Sequence, residues 1–143
     1  KKLFPQYISS LPIDKNEITK VILAKNSNLK KIIQIIHKEV RKRMNIFIKK
    51  NKNQKIIILD IPLLLENKIN KKKDILIFVD SKKKDILKRL IKRKNFNKIL
   101  FDKFKKIQIS KELKKKQSHF TIQNNFEKKT VKRDIKIILN KIL

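Results

Sequence analysis

Glycine is absent from all 143 residues, where an average usage of roughly 7% would supply about ten. A Gly-rich phosphate cradle is therefore excluded from this chain. Such a loop needs close backbone approach and positive φ, which other residues resist. Cysteine is absent too, so neither a disulfide framework nor a thiolate metal site is available. The two histidines, His37 and His119, lie far apart without a clear carboxylate partner, and no metal site is expected from them. The longest apolar run, Ile75 to Val79, is too short to span a bilayer, and the N-terminus lacks a signal-peptide layout. The expectation is a soluble, cytoplasmic protein without membrane contact. The chain opens on Lys1-Lys2-Leu3-Phe4 with no initiating methionine, and it reads as a piece of a longer protein that has lost its N-terminal part.

Acidic residues are scarce. Twelve Asp and Glu face 41 Lys and Arg, for a net charge of +29. This balance invites a nucleic-acid reading. The lysines are spread along the whole chain, however, which points to a compositional drift toward Lys, Ile and Asn on solvent faces. A general attraction for phosphorylated ligands follows from it. The length suits one domain, and 40% hydrophobic content allows a modest core.

The most informative stretch is Lys55-Ile56-Ile57-Ile58-Leu59-Asp60-Ile61-Pro62-Leu63-Leu64-Leu65-Glu66. Four apolar residues followed by a carboxylate and a proline predict a strand over 56–59, buried on both faces and ending where a parallel sheet presents its ligands. Pro62 stops the ladder, since it has no N–H to donate. Ile75 to Val79 reads as a second buried strand closing on Asp80, and Phe120 to Ile122 as a brief third. Asp14 and Glu17 have capping-box spacing, with Ile18, Val21 and Ile22 as the first apolar helical face. After a break at Asn26–Asn28, apolar residues from Leu29 to Ile48 recur at three and four. Further helices are expected at about 82–93, 98–109 and 131–143, with Phe96, Phe101 and Phe104 read as core at helical spacing, the alternative being aromatics that stack on nucleic acid. Strand and helix alternation of this kind gives the α/β class with a parallel sheet.

Several segments together resemble the dephospho-CoA kinases, phosphate-loop enzymes that complete coenzyme A. Asp60-Ile61-Pro62-Leu63-Leu64-Leu65-Glu66 is similar to that family's Asp-Val-Pro-Leu-Leu-Phe-Glu signature. His37-Lys38-Glu39-Val40-Arg41 is similar to its His-Pro-x-Val/Ile-Arg, with lysine in place of proline. Asp80 at a strand end, Arg89-Leu90-Ile91-Lys92-Arg93, Gln108, Lys114 and Phe120-Thr121-Ile122-Gln123-Asn124 fall in the family's order. His119 and Gln123 stand where the family usually has aspartate.

The resemblance implies a three-layer phosphate-loop kinase fold whose first strand and phosphate loop are missing from this chain. It implies a helical acceptor-binding part over 14–50 and a helical lid over 93–117. The implied reaction is ATP- and Mg2+-dependent phosphorylation of the ribose 3′-hydroxyl of dephospho-CoA. The chain by itself is expected to be inactive. Asp60 is either a holder of magnesium-bound water, or an acceptor-orienting group, or a turn residue bonding its local backbone. Arg93 is either a lid arginine closing over phosphates or a solvated helix-end residue. Asn124 reads as an adenine-edge contact or a plain turn residue, while Gln108 and Lys114 join the nucleotide side by resemblance. His37, Arg41 and Glu66 belong to the acceptor side, His37 alternatively as an interior histidine and Glu66 as a cap. The competing class is a basic nucleic-acid-binding protein with no enzyme role, which needs a concentrated positive face.

Overall fold

The computed structural model describes residues 2–143. Helix α1 (Lys15–Ala24) starts at Asp14, whose side chain accepts from the Asn16 N–H at 2.7 Å. Glu17 does not close the expected capping box. It reaches back past Asp14 to Ser9 and Ser10, accepting from both backbone N–H groups and both hydroxyls at 2.6–3.1 Å. The Asp14 N–H turns instead to the Ser10 hydroxyl at 3.0 Å. Three further donors make the serine pair the better partner, and they tie the N-terminal segment to the first turn of the helix.

Helix α2 (Asn26–Lys50) follows after a single residue, Lys25. The Asn26–Asn28 break of the sequence reading is thus the first turn of α2. Buried Asn28 donates its side-chain amide to the Val21 carbonyl at 2.9 Å, satisfying an end group of α1. That bond lets two helices meet without a loop.

The main core forms where the 4–8 segment, α1, α2 and helix α4 (Lys98–Ile107) converge. Phe4, Ile8, Val21, Ile22, Leu29 and Ile32 are buried there, with Leu100, Phe104 and Ile107 packed against them. Phe96 and Phe101 add a tilted ring contact with centroids 6.1 Å apart, so these phenylalanines are packing groups, as the helical spacing predicts. Asn97 caps α4 through the Leu100 N–H. Ser110 caps the short α5 (Lys111–Gln117) through that of Leu113.

The sheet has two parallel strands, β1 (Ile77–Asp80) and β2 (Phe120–Gln123), with Asp80 opposite Gln123. The crossover carries α3 (Lys83–Ile91), α4 and α5, and α6 (Lys128–Ile142) packs back on β2. Its start at Lys128 lies three residues ahead of the expected one. This is the α/β, parallel-sheet architecture expected from the sequence.

The strand expected over 56–59 does not form. These residues are irregular and make no ladder bond among the described residues, and Ile58 is 82% exposed. An apolar run becomes a strand only when a neighbour takes its N–H and C=O groups, and among the described residues no strand edge lies in register with 56–59 to do so. The other expectation of full burial also fails. Ile77 and Val79 of β1 are 43% and 53% exposed, because one face of this narrow sheet carries no covering helix among the described residues.

Candidate active site

The C-terminal ends of the strands and the Pro62–Lys68 turn collect most of the expected functional residues. Glu66, whose side chain is only 8% exposed, meets Lys114 Nζ at 2.8 Å and accepts the Ile109 N–H at 3.2 Å. Lys114 also donates to the Gln108 side-chain oxygen at 3.3 Å. One acceptor-side residue and two nucleotide-side residues of the sequence reading thus form a single cluster. Burial acts most strongly on Glu66 and pushes its carboxyl up. The Lys114 ammonium and the backbone N–H groups of Glu66 and Ile109 outweigh it and hold the group below the usual carboxylate range.

Arg41 enters the same region from α2, donating from Nη2 to the Asn67 carbonyl at 2.8 Å. Its remaining donors stay open for a ligand, since a guanidinium offers five. His37, one turn earlier on α2, is buried with Nδ1 unpaired.

Asp80 holds Lys111 Nζ at 2.5 Å and is itself 13% exposed at the side chain. Lys111 and Lys114 lie three apart on α5, so one helix face answers both carboxylates. The Asp80 carbonyl accepts the Asn124 N–H at 2.7 Å. Asn124 in turn spends its side-chain oxygen on the Phe126 N–H at 3.0 Å. This is an Asx turn that holds Phe126 at φ 65°.

Arg89 of α3 stacks on the Phe126 ring with its guanidinium carbon 4.3 Å from the centroid. Beside this stacked pair opens a hollow of about 510 Å³ lined by Asp85, Lys88, Arg89, Lys92, Asn125 and Phe126. Three cations against one carboxylate, with an aromatic face, suit a planar anionic ligand. A second, smaller hollow, also lined by Arg89 and Phe126, reaches Asn124.

Asp60 and Arg93 stand apart from these clusters. Asp60 is exposed, and no partner engages its side chain among the described residues. Arg93 is exposed in the α3–α4 joint, where only its backbone is bonded, to Leu90 and Phe96.

Comparison with known proteins resolves the family. The dephospho-CoA kinase family model matches residues 7–130. A dephospho-CoA kinase of Wolbachia sp. subsp. Brugia malayi is similar, with 32% identity over 99% of this chain and 73% of its own length. The chain belongs to the dephospho-CoA kinase family. A dephospho-CoA kinase of Fusobacterium nucleatum is 34% identical over 79% of the chain and 58% of its own length. The crystal structure of TT1252 from Thermus thermophilus shares the fold, with a TM-score of 0.72 at 19% identity. That match covers all of this chain and 74% of the other.

Within this kinase family chain, three contributors escaped the sequence reading. Lys111 was one cation among 41. Phe126 follows Asn124-Asn125, a turn signal without any hint that an aromatic ring would face Arg89. His119, noted only as a departure, accepts the Leu76 N–H on Nδ1 at 2.9 Å. Its backbone N–H returns to the Leu76 carbonyl at 2.8 Å. It extends the β1–β2 pairing by one position, and the alternating pattern past Phe120 was the available signal.

Among the described residues, no group of three or more His, Asp or Glu is placed to hold a metal, and no helix is long and apolar enough to cross a membrane.

Proposed function

We propose that this chain supplies the acceptor and lid parts of an ATP-dependent cytoplasmic kinase that phosphorylates the ribose 3′-hydroxyl of dephospho-CoA. The observation that carries this reading is the meeting of Glu66, Gln108, Lys114 and the Arg41-held turn in one place. Residues drawn from the acceptor helix, the signature turn and the lid root converge there, as phosphoryl transfer between two bound substrates requires. Such transfer asks the protein mainly for alignment and positive charge.

Arg41 and His37 face the acceptor side, with Arg41 offering its free donors to a phosphate. Arg93, unpaired and on the lid joint, closes over the nucleotide phosphates, where a planar guanidinium grips two oxygens. Asn124 meets the base, and Arg89 and Phe126 supply a cation and a ring for it. Lys114 and Gln108 bound the nucleotide side of the lid. Mg2+ accompanying ATP keeps most of its waters and takes one or two carboxylates. Asp60, exposed and uncompensated, fits that requirement, whereas Asp80 is already committed to Lys111. When bound, the ion neutralises phosphate charge.

The reading as a nucleic-acid-binding protein has less support, since exposed lysines occur on every helix rather than on one stripe. The test is ADP release from ATP and Mg2+ with and without dephospho-CoA. It is run on the 143 residues and on a version carrying a strand and Gly-rich phosphate loop fused ahead of Lys1. Without glycine these residues hold no phosphate cradle of that kind, so they are expected to show no turnover alone. Acceptor-dependent ADP from the fused protein alone supports the proposal. Turnover by the 143 residues, or a folded fusion indifferent to dephospho-CoA, would refute it.

A further inference from the structure

The Pro62–Lys68 turn touches both halves of the site. On one side, Arg41 of α2 donates to the Asn67 carbonyl at 2.8 Å. On the other, Glu66 accepts from Lys114 of α5 at 2.8 Å and from the Ile109 N–H at the lid root at 3.2 Å. Between these two attachments the turn is stapled to itself. The Asn67 N–H and side-chain amide both reach the Leu63 carbonyl, at 3.1 and 2.9 Å, and the Ile69 N–H reaches that of Leu64 at 3.0 Å. Buried Ile69 anchors the exit. A displacement entering at Asn67 therefore reaches Glu66 without being absorbed by slack backbone.

The turn is also held out of its relaxed form. Leu63 and Lys68 sit at φ 55° and 49°, bracketing it with two non-glycine residues in the left-handed region. Such residues cost free energy and persist only while surrounding contacts over-determine them. A small strained element gripped from two sides gives contacts on either side a hold on the same backbone, which is the physical means of energetic coupling between sites.

We propose that the Pro62–Lys68 turn couples the acceptor helix to the lid, with Glu66 as the positioning residue that transmits acceptor binding to the 108–117 segment. This rests on the assignment of α2 to the acceptor and of α4–α5 to the lid. Acceptor phosphate on Arg41 tightens its grip on Asn67, and Glu66 then fixes Lys114, Gln108 and Ile109 for the nucleotide. Linkage makes the effect reciprocal.

Hydrogen exchange read by mass spectrometry tests it, first without ligand. Arg41→Ala touches nothing in 108–117, yet exchange there should rise about tenfold as the lid root opens locally. Lys114→Met should in turn speed exchange over 37–44. Arg41→Gln and Lys114→Gln repeat both arms, and unchanged exchange over 18–33 reports an intact core. If each substitution loosens only its own helix, the coupling is refuted.

With dephospho-CoA as probe, the wild-type protein should gain protection in both 37–44 and 108–117. Lys114→Met should gain it in 37–44 alone. Equal protection of 108–117 in both proteins would overturn the role of Glu66. Protection of neither segment would instead refute the acceptor assignment, while the ligand-free arms still decide the coupling.

Discussion

Lys114→Met tests the Glu66 cluster most directly, because it removes the cation while keeping most of the side-chain length. Glu66 is 8% exposed and Lys114 22% at the side chain, so the substitution strands a carboxylate out of water. Breaking a buried pair in this way costs about 3–5 kcal/mol. Two features lower the figure here. Lys114 is partly solvated, and the Ile109 N–H stays on the carboxylate, so about 2–3 kcal/mol is expected near neutral pH. For a chain of this size that lowers the melting temperature by roughly 6–10 °C.

The pH dependence carries a defined sign. In the wild type the folded Glu66 value lies below its ordinary 4.5. Its contribution is thus fully present above about 4.5 and lost as the pH falls through the folded value. In Lys114→Met, burial is opposed only by the backbone N–H groups of Glu66 and Ile109, so the carboxyl rises from its wild-type position and the variant recovers on acidification as Glu66 takes up a proton. The gap between the two proteins should therefore shrink from about pH 7 to about pH 4 in urea titrations. Adding Glu66→Gln to Lys114→Met should restore much of the loss. A gap below about 0.5 kcal/mol, or one equal at both pH values, would refute the assignment of this pair as a buried, mutually dependent contact.

Three further expectations follow from other parts of the molecule. Arg93→Ala in a loop-containing, active version should lower turnover about a hundred-fold or more with little change in melting temperature, since its side chain is exposed and unpaired; unchanged turnover removes it from the site. Lys68→Gly should stabilise the protein by about 1 kcal/mol in chemical denaturation, as it relieves φ 49° at an exposed position; a loss would mean the lysine side chain itself holds the turn. Glu17 is held down to about 2, first by the Ser10 hydroxyl and then by the Ser9 hydroxyl and backbone N–H. Its contribution is present above its ordinary 4.5 and lost as the pH falls through about 2. Melting curves of wild type and Glu17→Gln should thus converge over that window, and a pH-independent difference would contradict the serine clamp.

The helices were legible because a helix is a local object. Leu29 and Ile32 at threefold spacing, or Asp14 ahead of Lys15, state a face and a start using residues within one turn of each other. The 56–59 run shows the opposite case. Its four apolar residues say that the segment tolerates burial, but a strand exists only with a neighbour. Nothing in Ile56 to Leu59 names one, and the chain leaves these residues unpaired. Glu17 failed in a milder way. Its spacing from Asp14 is that of a capping box, yet Ser9 and Ser10 offer more donors than one backbone N–H. Local pattern identified the acceptor and missed which donors would win.

The site divides along the same physical line. Acidic residues were informative because there are only 12, so a carboxylate after an apolar run stood out at Asp60, Glu66 and Asp80. Their partners did not, since any of 41 cations could have answered them. Glu66 and Ile109 are 43 residues apart, and only the fold decides that Lys114, rather than Lys115 or Lys116, turns inward. Helix geometry then makes a second choice automatically. With Lys114 on Glu66, the residue three earlier must lie on the same face, and Lys111 reaches Asp80. One long-range pairing thus fixes the other. For that reason a substitution at Lys114 should be felt at the β1 tip as well as at the turn.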